Sequence, residues 1–138
     1  MTILPKSNLL DGLSVLIVED EYFVATDLAR VLEDAGATVE ELISNVQDAA
    51  NAMRAPRRFD VVILDVNLRG EMIYDLADRL LKSCMPFIFV TGYQCDSMPE
   101  RFRGIPCLGK PCDDSEIVQA ISSVCSRRTR TNSAPFGE

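Results

Sequence analysis

In the run Val61-Val62-Ile63-Leu64-Asp65-Val66-Asn67-Leu68, one carboxylate interrupts a series of aliphatic side chains. Such a run suits a strand buried on both faces, where an ionised carboxyl loses its hydration unless a partner compensates. Three more polar groups stand in similar places. Glu19-Asp20-Glu21 follow one apolar run, Thr91-Gly92 close another, and Lys110-Pro111 follow a third. The chain contains no histidine. That removes Ser-His-Asp and Cys-His nucleophiles and every His-ligated metal, and the chain cannot itself carry a phosphohistidine. Chemistry is left to carboxylates, hydroxyls, lysine and thiols.

Whether these groups meet depends on the elements that carry them. Ser14 to Val18 is a β-branched run that predicts a first buried strand. Val24, Leu28, Val31, Leu32 and Ala35 recur at helical spacing, with Gly36 placed to stop the helix. Thr38 to Ile43 reads as a strand of mixed polarity, nearer an edge, and Val46 to Met53 as a helix ending before Pro56. Phe59 to Leu64 is a third strand, Ile73 to Leu81 an amphipathic helix, and Pro86 to Val90 a fourth strand. From Gln94 to Arg103, with Pro99 inside it, any helix is short or irregular. Ile105 to Leu108 is a brief fifth strand. Ile117, Ile121, Val124 and Cys125 mark a last helix, with Asp113, Asp114 and Ser115 as possible caps. Residues 1–11 read as a short leader, 12–126 as the domain, and 127–138 as a flexible tail.

This alternation predicts an α/β fold, a flavodoxin-like (βα)5 doubly wound sheet of five parallel strands in the order 2-1-3-4-5. In such a sheet the carboxyl ends of the strands share one edge, where ligands bind. Glu19, Asp20, Asp65, Thr91 and Lys110 then converge. Clustered carboxylates repel unless a cation sits among them, and a set of oxygen ligands favours Mg²⁺. Beside such a cation Asp65 can act as a nucleophile toward a phosphoryl group. That group's oxygens need partners. Mg²⁺ can take one, the Lys110 ammonium another, and the Thr91 hydroxyl with nearby amides a third, while Gly92 leaves the approach open.

The segments VLIVEDE (15–21), VVILDVNL (61–68), FVTGY (89–93) and GKP (109–111) together resemble the receiver domain of bacterial two-component response regulators. The resemblance covers residues 12 to 126. It implies that Asp65 is a phosphoacceptor charged by a histidine kinase or histidine phosphotransfer protein. It implies Mg²⁺ held by Asp20, Asp65 and the Asn67 carbonyl, with Glu19 acting through water. Thr91 would move toward the phosphoryl group, Lys110 would pair with it, and the Lys110-Pro111 peptide would be cis. Two positions depart from the family pattern. Cys107 stands where receivers commonly carry a switch aromatic, and Arg69 where a proline is frequent. FVTGY is similar to a subgroup, frequent in alphaproteobacteria, with a Phe-Ala-Thr-Gly-type motif followed by tyrosine. Tyr93 is thus the candidate for the missing aromatic's role.

Each residue alone has a plainer reading: the acidic triplet as a helix start, Asp65 as a cap, Thr91 as a β-former, Lys110 as a surface lysine, Asn67 as a turn residue. Their joint order carries the case. A net charge of -7 argues against nucleic acid or an anionic membrane surface as partner. No run is long enough to span a bilayer. Five cysteines without a C-x-x-C pair suggest free thiols in a reducing cytoplasm, neither a disulfide frame nor a zinc site. The expectation is a single-domain, non-enzymatic phosphorelay protein whose output is contact with an unknown downstream protein. An aspartate-nucleophile phosphohydrolase, a receiver-like docking module and a flavodoxin-like cofactor binder are the alternatives. The hydrolase class typically has a second acid where Asn67 stands. For the cofactor binder, Glu19-Asp20-Glu21 would repel a phosphate.

Overall fold

In a computed structural model the described residues are 9–54, 59–68, 70–92 and 95–133. The chain runs β1 (Ser14–Val18), α1 (Tyr22–Asp34), β2 (Thr38–Ile43), α2 (Val46–Arg54), β3 (Val61–Leu64), β4 (Asn67–Leu68), β5 (Glu71–Met72), α3 (Tyr74–Lys82), β6 (Phe87–Thr91), β7 (Cys107–Gly109) and α4 (Asp114–Ser133). Five strands form one sheet in the order β2-β1-β3-β6-β7, and every pairing in it is parallel. This is the 2-1-3-4-5 order of a doubly wound sheet. The short β4–β5 hairpin is an antiparallel addition just beyond Asp65.

The side-chain period of two divides the central strands between two cores. Val15, Ile17, Val61 and Ile63 face α1 and α4, whereas Leu16, Val18, Val62 and Leu64 face α2 and α3. Both faces are covered, so these strands are apolar throughout, as parallel strands must be. β2 lies at the edge and alternates in exposure, in line with its mixed sequence. Gly36 ends the first crossover at φ +104°, and the Asp11 carboxylate fills the space a side chain there would need.

Three expectations are corrected. Leu10, at the end of the supposed leader, is fully buried, and its N–H donates to Ala35 O at 3.0 Å. α4 continues past residue 126 to Ser133. The polar composition of that stretch governs solvation, but no residue before Pro135 denies the helix its backbone donors. Finally, Cys95 and Cys107 form a disulfide, and Cys84, Cys112 and Cys125 are not disulfide-bonded. A sequence separation of 12 has no signature of its own; β7 returning beside β6 brings the two Cα atoms to 5.8 Å.

Among the described residues, the connection between β6 and β7 contains two 3-10 turns, Cys95–Ser97 and Glu100–Phe102. Two attachments pin it. Phe102 inserts its ring 5.5 Å from Phe89 and 5.7 Å from Tyr74. Beside it, Arg101 makes paired hydrogen bonds to Asp78 on α3 at 2.7 and 3.2 Å. The disulfide ties the other end to β7. Truncating Phe102 to Ala removes a buried ring and leaves a cavity, so urea unfolding should show a loss of about 3–5 kcal/mol, with a smaller loss for Phe102→Leu.

Candidate functional site

Backbone hydrogen bonds carry the parallel ladder one step beyond the strands and fix the polar residues at one edge. Glu19 N–H donates to Ile43 O at 2.8 Å, Asp65 N–H to Val18 O at 3.0 Å, and Lys110 N–H to Thr91 O at 2.8 Å. The chain is held by its neighbours where each functional side chain leaves the sheet. Glu19, Asp65 and Thr91 are the buried polar residues recorded among the described ones.

The Lys110 ammonium lies at the centre. Its Nζ is 2.6 Å from Glu19 Oε1, 3.0 Å from Asp65 Oδ2 and 3.4 Å from Glu21 Oε1. Glu21 also donates its N–H to Glu19 Oε2 at 3.1 Å. Burial pushes the Glu19 carboxyl up to about 7; the Lys110 contact and the Glu21 N–H recover only part of the lost hydration, and the Asp65 charge adds to the shift. Burial opposes the Lys110 charge as well, but the carboxylates of Glu19 and Asp65 outweigh it and push the ammonium up to about 12.

Glu19, Asp20 and Asp65 can each offer an oxygen within 4.8 Å of the others. Glu19 Oε1 is fully buried, and although Lys110 is close it receives no well-directed hydrogen bond. A hard divalent cation satisfies such an oxygen and offsets the repulsion among the three carboxylates, so the donor set fits one. Asn67 is exposed on β4 of the short hairpin. Its N–H points at Asp65 Oδ1 at 3.5 Å, and its side-chain oxygen accepts from Gly70 N–H at 2.8 Å, closing a turn. At Gly92 an added Cβ meets no atom within 4 Å, so its lack of a side chain matters only to a molecule arriving from solvent. Lys110-Pro111 is cis. Tyr93 and Arg69 lie outside the described residues.

Sequence reasoning set Glu21 beside the acidic pair but gave it no role; it is a third carboxylate on Lys110. Its place at the start of α1, next to two acids, was the available signal. The Cys95–Cys107 pair gave none.

An acidic pair, an aspartate, a threonine and a lysine gathered on one edge of a 2-1-3-4-5 parallel sheet define a class of signalling domain. The family model for the response regulator receiver domain matches residues 15–122, and the chain belongs to that family. Its role is that of a response regulator in two-component signalling. The sensory transduction protein LytT of Bacillus subtilis is 32% identical over 113 residues, covering 79% of this chain and 46% of LytT. The phyllosphere-induced regulator PhyR of Methylorubrum extorquens is 32% identical over 116 residues, covering 78% of this chain and 42% of PhyR. The chain thus spans about half the length of these curated relatives. The solution structure of SdrG from Sphingomonas melonis Fr1 is 35% identical, with a TM-score of 0.72, covering 84% of this chain and 97% of SdrG. Receivers of this family work with histidine kinases or phosphotransfer proteins and are generally not enzymes. Among the described residues no helix is long and apolar enough to cross a membrane.

The raised Glu19 pKa has a sign. The folded state favours the protonated carboxyl, so this contribution to stability is fully present below the unfolded value near 4.5 and is lost as pH rises through about 7. Metal-free protein should therefore lose stability across that window in chemical denaturation, and Glu19→Gln should flatten the slope. A cation must displace the same proton, so calorimetric titration with Mg²⁺ should give weaker binding at pH 6 than at pH 8.

Proposed function

We propose that this receiver takes a phosphoryl group on Asp65 from a phosphohistidine and passes the signal on by protein contact. One Asp65 oxygen forms the new P–O bond while the P–N bond to the donor imidazole breaks, and the ring leaves with the electron pair and takes up a proton. Lys110 turns from the carboxylates to the incoming phosphoryl oxygens, since its ammonium already touches Asp65 at 3.0 Å. Thr91, one step along the edge, offers its hydroxyl to another oxygen. Glu19, Asp20 and Asp65, with the Asn67 carbonyl, are the residues that would hold Mg²⁺. Bound there, the ion neutralises the acidic pair and the charge of the transferring group. The observation that carries the reading is the convergence of Glu19, Asp65 and Lys110 from three separate strand ends onto one ammonium.

The subgroup reading rests on Phe89-Val90-Thr91-Gly92-Tyr93, and there Tyr93 serves as the moving aromatic in place of Cys107. A phosphoryl group adds about two negative charges at the sheet edge, enough to bias a two-state surface. The partners in this account are a histidine kinase or phosphotransfer protein on one side and an unidentified protein target on the other, with no nucleic acid or membrane. Acidic surroundings and a net charge of -7 support that choice.

Incubation with a small phosphodonor and Mg²⁺ should add the mass of one phosphoryl group, and Asp65→Asn should abolish the gain. Sustained multi-turnover phosphate release would instead favour a phosphohydrolase. Tyr93→Ala should suppress the phosphorylation-induced NMR shifts; shifts that persist unchanged refute its switch role.

A further inference from the structure

The phosphoryl chemistry leaves one reactive pair unused. Cys95 and Cys107 lie on the two sides of the β6–β7 connection, joined as a disulfide with Cα atoms 5.8 Å apart, within the range that permits a bridge. Both are half-buried, and both line a cavity of about 390 Å³ shared with Asp96, Met98, Glu100 and Arg103. A small oxidant or reductant can therefore reach them. Where thiols are kept reduced, a bridge of this kind is transient and serves redox chemistry more than folding. Phe102 and the Arg101–Asp78 pair hold the far half of the segment by contacts that do not involve it. The bridge fixes Cys95, where the described chain resumes after Gly92. Its other anchor, Cys107, pairs with Phe89 in the sheet and lies on the strand that leads into Lys110.

We propose that Cys95 and Cys107 form a reversible redox site, oxidised by hydroperoxides and reopened by dithiols, whose closing ties the turn at Cys95–Ser97 to β7. In the oxidation one thiolate attacks the peroxide oxygen and releases the alcohol or water, leaving a sulfenic acid. The second thiolate attacks that sulfur, forming the S–S bond and expelling hydroxide, which is protonated to water. Two electrons pass from the sulfurs to the peroxide. A dithiol reverses the step by exchange and is itself oxidised. The remaining cysteines do not compete. Cys84, in the turn after α3, and Cys125, on α4, are not disulfide-bonded and lie away from the β6–β7 connection, and burial, with Glu116, Asp113 and Asp114 adding to it, pushes the Cys112 thiol up. One part of the proposal rests on the phosphoryl reading: with the segment tied, the Thr91 edge moves less freely and phosphoryl uptake slows.

The test uses the full chain, reduced with a dithiol, exposed to hydrogen peroxide, alkylated and mapped by mass spectrometry without reduction. The expected product is one intramolecular link between Cys95 and Cys107 that a dithiol reopens. It should persist in the Cys84→Ser/Cys112→Ser/Cys125→Ser variant and in Asp65→Asn, and vanish in Cys107→Ser. Amide hydrogen exchange in residues 95–98 should slow at least about tenfold on oxidation. Thiols that all remain alkylatable, a link between other cysteines or between chains, or unchanged exchange overturns the site. In wild type, oxidation should lower the rate of labelling by a small phosphodonor by roughly two- to tenfold. Equal rates overturn the coupling. A chain that forms the bridge yet takes no phosphoryl group supports the thiol site and contradicts the phosphoryl reading, so the two failures are distinct.

Discussion

A single ammonium holds the acidic edge of this sheet together. Glu19 and Asp65 are buried carboxylates that arrive on different strands, and each lies within 3.0 Å of Lys110 Nζ. Without a counter-charge their mutual repulsion and lost hydration would oppose the packing of β1 against β3 at its carboxyl end. With it, the arrangement is held but incompletely satisfied. One ammonium cannot direct good hydrogen bonds at every oxygen around it, and Glu19 Oε1 is the one left over. A hard divalent cation would satisfy that oxygen.

The sheet supplies the rigidity that this balance requires. Apolar strands packed on both faces leave little room to relax, and backbone bonds from the neighbouring strand fix Glu19, Asp65 and Lys110 at the points where they leave it. The connection from β6 to β7 is built differently. It has 3-10 turns in place of an α-helix, and two separate pins in place of an amphipathic face. Among the described residues of this connection, Cys95–Ser97 contains no buried residue, so that turn is less committed to the core than the helical crossovers. Change at the site has a place to be expressed.

Much of this was legible in the sequence because the strong signals are local. β1 and β2 were expected at the boundaries they have, and β3 and β6 nearly so, since runs such as Val15 to Val18 can be buried strands and little else. The convergence of Glu19, Asp20, Asp65, Thr91 and Lys110 followed from the topology once the alternation was read. What escaped was set by tertiary placement. Leu10 belongs to the core because of a contact with the loop after α1, not because of its neighbours in the chain. α4 extends because no proline or glycine interrupts residues 127–133, and their polar composition read as a tail. Cys95 and Cys107 are a pair only because β7 pairs with β6. Glu21 looked like a solvated helix start, and its role at Lys110 depends on where α1 meets the end of β7.

Lys110 occupies the carboxylates that would hold a divalent cation, so the two should compete. Calorimetric titration of Mg²⁺ into Lys110→Met, compared with wild type at one pH and ionic strength, tests it most directly. Removing the ammonium should tighten Mg²⁺ binding by about tenfold or more, since a competing positive charge beside Glu19 and Asp65 is gone. Unchanged or weaker binding in Lys110→Met would contradict the account.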